Sequence, residues 1–420
     1  MFALLLFTVL WLLAAVSSHP LLHPKQRCPP IGNGTINIAS YQLYPENVDF
    51  DEESYIGSLY NASVVVYDPY KASVVSTIEF PNITRTPPFH IGGVAWDPYS
   101  DSRDEITILV DAAPAHETAG RDVSGDNYLL RYSATQRRTL WFTNLTALSR
   151  GRYGGPQDIE HDSAGNTYVL GTYPGTLMRV SSRTGIASEW FVPSGSNRSG
   201  HDAIDHAIAG FTGLAAVKNG DSDSDSSSST LLLVTDARNH SAAGGALYSF
   251  DMSAPKGSPK RVPIAYPDSP GAGGVQVQVN PVIRPGDAIY LPRKYGGAVL
   301  LIAEHDAGVS VLRSRLEDDD GSTEGGKYES EEKKGYGEKR KKYEKRNEWR
   351  SAEFLGRIPN PPEVTASGGV VTAAVEIAGS VYMVEEWFTD PLVPGMSAGN
   401  RTSFPLVDIT HQLDALVKAS

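Results

Sequence analysis

Between residues 154 and 162 the chain reads GGPQDIEHD, which sets Gln157, Asp158, Glu160, His161 and Asp162 within six positions. Carboxylates, an amide and an imidazole are the side chains of metal ligation and of general acid–base catalysis. They act together only if they converge. In an extended strand successive side chains leave opposite faces, so Gln157, Ile159 and His161 share one face and Asp158 and Glu160 the other. Five neighbours on one strand therefore cannot surround one ion. Convergence needs the same position from several strands, and that requires a repeat.

The repeat is present. PENVDF (45–50), IGGVAW (91–96), PQDIEH (156–161), FTGLAA (211–216), GDAIYL (286–291) and SGGVVTA (367–373) each place small or polar residues before an aliphatic one. Those aliphatics are Val48, Val94, Ile159, Leu214, Ile289 and Val370. A second apolar run follows each, as in ITILVD (106–111), TYVLGT (167–172), TLLLVTD (230–236), AVLLIAEH (298–305) and SVYMVEE (380–386). Third and fourth runs follow in most units, among them SVVVYD (63–68) and ASEWF (187–191). Four short strands recurring at about 40 residues are the signature of a β-propeller blade. The expected fold is all-β, a six-bladed β-propeller with a short C-terminal helix over DITHQLDALVKA (408–419). The sixth unit has two obvious strands, and TINIASYQL (35–43) is expected to supply its outer strand and close the ring. Closure leaves only short, protected sheet edges.

Innermost strands of such a ring surround a common channel, so candidate functional residues are read across the repeat. Ahead of the shared aliphatics stand Glu46 and Asn47, Gly92 and Gly93, Gln157 and Asp158, Thr212 and Gly213, Asp287 and Ala288, and Gly368 and Gly369. His90 precedes the second unit's strand. Ends of the second strands add Asp111, Asp236, Glu304, His305, Glu385 and Glu386. Asp158, Asp287, Glu46 and His90 are the candidate proton-transfer groups. Asn47, Gln157, Thr212, Asp236, Glu304, His305 and Glu385 are the candidates for holding a polar ligand. A Ca²⁺ ion takes six to eight oxygen ligands, of which Glu46, Asn47, Asp158 and Asp287 could supply several; the metal is left open. No nucleophile elbow, phosphate loop or zinc-type Cys/His spacing occurs.

Composition narrows the partners. The chain has 420 residues, 40% hydrophobic and 20% charged, with 40 Gly, 28 Pro and a formal net charge of −12. That charge opposes a phosphate-rich surface, so neither nucleic acid nor an anionic membrane is an expected partner. Residues 1–18 read as a secretory signal peptide, with an apolar run from Phe2 to Val16. The run is short for a bilayer span of about 20 residues, and no later segment is long and apolar enough to cross. Residues 19–34 form an N-terminal extension and 35–420 the propeller. Sequons begin at Asn33, Asn61, Asn82, Asn144, Asn197, Asn239 and Asn400, as expected of a secreted glycoprotein. The single Cys28 permits no internal disulfide. Two low-complexity insertions, 219–230 and 316–349, lie outside the repeat. Oligomeric state is not legible.

The blocks YPENVDFD, VYDPYK, HIGGVAWDP, VSGDNYLLRY, YGGPQDIEHDSAGNTYVLGTYPGTLMRV, DAIYLP, EFLGRIPNP and EEWFTDPLVPGMSAGNRTSFPLVDITHQLDAL occur in order from about Ile31 to Leu416. Together they resemble the trichothecene biosynthesis protein fourteen family of fungi, within the gluconolactonase-like six-bladed propellers. The turn DEES (51–54) is shorter than its counterpart DSAGNT (162–167), and the 316–349 insert is longer than that family's usual connection. The resemblance implies a place in core gene clusters for sesquiterpenoid mycotoxins, with links to toxin production and virulence. It implies a small lipophilic, oxygenated terpenoid as ligand and a cyclisation or epoxide opening as reaction, or else a secreted binding protein without chemistry. In gluconolactonase-like propellers a first-blade glutamate binds the metal, and Glu46 matches that position.

Overall fold

A computed structural model describes residues 31, 34–51, 53–100, 104–193, 210–217, 231–236, 245–265, 283–315 and 349–419. The signal-peptide reading, Cys28, Asn33, Asn197, Asn239 and nearly all of both low-complexity segments lie outside them. Strands β2 (Pro45–Asp51), β3 (Glu53–Ser58), β4 (Ser63–Asp68) and β5 (Ser73–Ile78) form blade one, innermost first. Blade two is β6 (Phe89–Trp96), β7 (Glu105–Ala112), β8 (Tyr128–Ser133) and β9 (Arg138–Asn144). Blade three is β10 (Gly154–His161), β11 (Asn166–Tyr173), β12 (Thr176–Ser181) and β13 (Ala187–Phe191). Blade four is β14 (Gly213–Val217), β15 (Leu231–Asp236), β16 (Ala246–Asp251) and β17 (Lys260–Arg261). In blade five β19 (Ile289–Tyr290), β20 (Val299–Ala303), β21 (Val309–Ser314) and β22 (Ala352–Ile358) take a fifth strand, β18 (Ile264–Ala265), which runs parallel to β22.

Blade six contains β23 (Val370–Ile377), β24 (Ser380–Glu386) and β25 (Ser403–Asp408), and β1 (Ile36–Ala39) is its outermost strand. The N-terminal strand therefore closes the ring, pairing antiparallel from Ile36 with Leu406 to Ala39 with Ser403. The strand β25 is the one the sequence pattern hid, because Pro405 sits inside it and proline lacks a ladder N–H. The register shows how it is tolerated. Pairing of β25 with β24 covers Leu406 to Asp408, and Pro405 lies where that pairing has ended and β1 has taken over.

Each blade is apolar on both faces, and period-two alternation divides its side chains between two neighbours. In β20, Leu300 and Ile302 join the cluster shared with blade four, while Val299, Leu301 and Ala303 join the one shared with blade six. The other blade pairs are bridged in the same way, the last by Ile38, Phe404 and Val384 of blade six against Val48, Ile56 and Val65 of blade one. Trp349, at the end of the charged insertion, is buried between blades four and five with its indole N–H on the Gly297 carbonyl at 3.0 Å. The helix Thr410–Ala419 packs Leu413 and Leu416 on the outside of blade five, as the sequence spacing predicts. No helix among the described residues is long and apolar enough to cross a membrane.

All six first strands start, and all six second strands end, at the same mouth of the ring. The strand ends that flank both low-complexity segments lie at the opposite rim. Ile38 is fully buried in the closing strand. Ile38→Ala is expected to lower stability by about 2–5 kcal/mol, measured as a lower urea midpoint at unchanged m value; an unchanged midpoint would deny β1 its closing role.

Candidate functional site at the channel mouth

The first strands adjoin one another in ring order, β2 to β6, β10, β14, β19, β23 and back to β2. Four of them carry a bulge at the mouth: at Glu46–Asn47, Gly92, Gln157 and Thr372. A bulge re-aims side chains and increases local twist. It also sets the alignment of blade six. The residues matching Gln157 and Asp158 there are Thr372 and Ala373, whereas Gly368 and Gly369 precede the strand and pack beside Thr389 and Trp387. The sequence reading of Val370 as the shared aliphatic is thus displaced by four residues.

The glycines of blade two sit where blade three approaches closely. A side chain at Gly92 would meet the Asp111 carboxylate and the Pro156 carbonyl at 3.1 Å, and one at Gly93 the Gln157 carbonyl at 3.4 Å. Blade three needs that space. On the strand that fills it, Asp158 accepts from the Ile159 N–H at 2.8 Å and, in blade four, from the Leu214 N–H at 2.8 Å. The Asn47 amide of blade one lies 3.5 Å from the same carboxylate. Asp158 thereby ties together three blades. Burial raises its pKa well above the carboxylate range, against the pull of these N–H groups. Gln157 and Thr212 are also engaged: Thr172 donates to the Gln157 side chain at 2.9 Å, and the Thr212 and Thr235 hydroxyls are 3.4 Å apart. Glu304 accepts from the Arg357 guanidinium at 2.7 Å and the Arg284 N–H at 3.0 Å, though burial still raises its pKa against them. Asp236 is buried beside Tyr248.

A second set of acids is buried without such partners. Both carboxylate oxygens of Asp111, of Glu385 and of Glu386 lack a hydrogen bond among the described residues, and all three side chains are at most 1% exposed. Burial lifts Asp111 and Glu385 to about 7 and Glu386 well above its ordinary value. Asp287 adds to the shifts of both Glu386 and Asp158, and Glu46 and Glu386 both act on the Tyr60 phenol, so blades one, three, five and six meet at this mouth. Glu46 itself is half-buried.

Two imidazoles stand against these acids. The His305 Nε2 is 3.3 Å from Asp287 Oδ2. His305 holds a left-handed φ of +38°, uncommon for a residue with a Cβ, and its carbonyl is pinned by the Asn360 amide at 2.8 Å and the Val371 N–H at 3.2 Å. The His305 side chain is 33% exposed while Asp287 behind it is buried. In blade two, His116 Nε2 is 3.6 Å from Asp111 Oδ2 and its ring packs edge-on against Tyr173. Blades two and five face each other across a six-membered ring. His116 was invisible to repeat reasoning because it sits on the four-residue helix Pro114–Glu117 between strands. His90 differs: burial pushes its imidazole down to about 4, and its ring packs edge-on against Tyr60 at 5.4 Å. So weak a base suits packing better than proton abstraction.

Among curated proteins, Trichothecene biosynthesis protein 14 of Trichoderma arundinaceum is 30% identical over 410 residues, covering 94% of this chain and 92% of the relative. The chain belongs to the trichothecene biosynthesis protein 14 family. A second member, Core trichothecene cluster (CTC) protein 14 of Fusarium sporotrichioides, is 26% identical over 409 residues, covering 93% of this chain and 88% of that one. No family model matches the chain. Among solved structures the allergen Mala s 1 of Malassezia sympodialis superposes with a TM-score of 0.60 at 17% identity, over 90% of this chain and 96% of that one, a likeness of fold.

The metal that Glu46 would imply is not matched by its surroundings. Among the described residues no three His, Cys, Asp or Glu side chains converge on one point. Asp158 spends its oxygens on backbone N–H groups, and Asp287 faces an imidazole. Of the sequons, Asn82 and Asn400 are exposed, whereas the Asn61 amide donates to the Gln42 carbonyl at 2.8 Å and Asn144 caps the helix Leu145–Ser149.

A carboxyl raised by burial binds its proton more tightly in the folded than in the unfolded chain. Its stabilising effect is complete below the ordinary value of 4.5 and is lost as pH rises to about 7. For Glu385 that loss is on the order of 3 kcal/mol. Glu385→Gln is expected to make the fall in stability between pH 4.5 and 7 shallower in urea unfolding, the other raised acids keeping the rest; parallel profiles for the two proteins would show that folding does not raise the Glu385 pKa.

Proposed function

We propose that the family member described here acts in trichothecene biosynthesis as an acid–base catalyst of ring closure on a lipophilic, oxygenated terpenoid bound at the channel mouth. The observation that carries this reading is the partly exposed His305 imidazole, backed by buried Asp287, at a mouth that also holds buried carboxyls whose pKa burial raises to about 7. The names of the two curated relatives support the pathway. In the reaction a substrate hydroxyl attacks an epoxide carbon. One epoxide C–O bond breaks, an ether C–O bond forms, and no atom is gained or lost. The hydroxyl proton passes to His305, whose imidazolium Asp287 stabilises. The opened oxygen takes a proton from a neutral carboxyl, Glu385 or the Asp111–His116 pair, which is regenerated from the imidazolium through solvent. Asp158 acts in this scheme by fixing three blades, and His90 by packing.

The same proposal puts the chain in the secretory pathway, on the strength of the apolar run 2–16 and the exposed sequon residues Asn82 and Asn400. Those exposed sequons also favour a second reading, a secreted binding protein without chemistry. Purified protein incubated with an epoxide- and hydroxyl-bearing pathway intermediate separates the two. The proposal expects ring closure faster than the spontaneous reaction, with His305→Gln lowering kcat by about 10²–10⁴-fold and Asp287→Asn lowering it less. A rate equal to the spontaneous one in every sample would sink the catalytic reading and leave the binding protein.

A further inference from the structure

The segment after β24, residues 387–398, is tightly held yet turns apolar side chains to solvent. Asp390 receives the Arg401 guanidinium at 2.9 and 3.0 Å and the Tyr44 hydroxyl at 2.8 Å. Arg401 also stacks on Trp387, 4.1 Å from the ring centre. The Trp387 indole N–H reaches the Ser367 hydroxyl at 3.0 Å, and the Val393 N–H meets the Ala398 carbonyl at 2.9 Å. From this rigid base Phe388, Leu392 and Met396 stand 42%, 65% and 50% exposed, and Tyr41, itself 52% exposed, touches the Met396 sulfur at 3.8 Å. These are four of the eight large apolar side chains that are exposed among the described residues. Anchoring such groups in water gains nothing for folding, and apolar side chains held exposed along one short segment mark a binding surface.

Its position says what the surface meets. Phe388 packs edge-on against His305 with ring centres 6.3 Å apart, so a ligand resting on Phe388 abuts the partly exposed imidazole. Beyond His305 the mouth turns polar and acidic through Asp287 and Glu386. An anionic bilayer is opposed by the net charge of −12. We propose that Phe388, Leu392 and Met396 form a preformed seat for the hydrocarbon face of a terpenoid-sized substrate, which directs its oxygenated edge to His305. This inference rests on the acid–base reading for the reaction but on the lip alone for binding. Preorganisation lowers the ordering cost of the bound state, which is why a pinned loop suits the task better than a mobile one.

The test is binding of cedrol, a tricyclic sesquiterpene alcohol, to the full chain by calorimetry. L392D/M396D is expected to weaken binding at least about tenfold, with thermal unfolding as the check on folding and Phe388→Ala as the milder variant. His305→Gln keeps the three apolar side chains and replaces the imidazole by an amide that still offers a hydrogen bond, so it is expected to retain most of the cedrol affinity that L392D/M396D loses. Turnover lost in His305→Gln with cedrol binding kept supports both readings; turnover kept there sinks the acid–base reading and leaves the lip. Absent cedrol binding, or equal affinity in the parent and L392D/M396D, overturns the lip. So does a substitution that abolishes sedimentation with phosphatidylcholine vesicles, or dissociates a dimer, while cedrol affinity is unchanged; the lip would then face a membrane or a second copy.

Discussion

Everything at the channel mouth depends on the pairing of β1 with β25. A propeller blade buries both faces, one on each neighbour, so an open row of six would leave two apolar faces in water. The closing strand joins residues more than 360 positions apart in the chain, from Ile36 to Leu406. With the ring shut, the cluster of Ile38, Phe404, Val375 and Val384 against Val48, Ile56 and Val65 becomes equivalent to the other interfaces. Only then do first strands from six blades start around one axis, and only then can Asn47 and Asp158 from different blades meet.

The acids gathered there fall into two classes, distinguished by their partners. Asp158 and Glu304 meet donors from other elements and hold the assembly together. Asp111, Glu385 and Glu386 are buried with no hydrogen bond at either oxygen among the described residues. A buried carboxylate without a donor is costly, and the cheaper state is the neutral acid. Neutral carboxyls and an imidazole at one mouth form a set in which one group can give a proton and another take one. Placing them at the mouth that also carries the partly exposed His305 ties this electrostatic cost to a surface where a ligand can sit.

Much of the architecture was legible because the repeat is physical. Alternating apolar runs at a spacing of about 40 residues, a spare strand at 35–43 and a helix-spaced tail at 408–419 sufficed for ring, closure and cap. What escaped breaks the repeat. Pro405 disguised β25. The sequence SGGVV imitates IGGVA, yet Gly368 and Gly369 lead out of the helix Pro362–Ala366, and the bulge at Thr372 shifts the true alignment. The glycine pair of blade two looks featureless in sequence, yet it is what lets blade three approach. Among site residues, Glu46, Asn47, Asp158, Asp287, His305 and Glu385 do come to one mouth, as a channel argument requires. Which of them are already engaged could not be read from residue type: Asp158 and Asp287 look alike in sequence, and only their neighbours separate a blade-linking carboxylate from one behind an imidazole. His116 and Phe388 belong to connections, where no periodicity points.

The central claim is that buried, proton-bearing carboxyls at the closed mouth are aimed at a ligand. Infrared difference spectroscopy of the carboxyl C=O stretch reads this directly. At about pH 6, below the raised value of about 7 for Glu385 and Asp111, the account predicts a protonated-carboxyl band that shifts when a pathway intermediate is added and shrinks in Glu385→Gln. A spectrum with no such band, or a band indifferent to the intermediate, would contradict it.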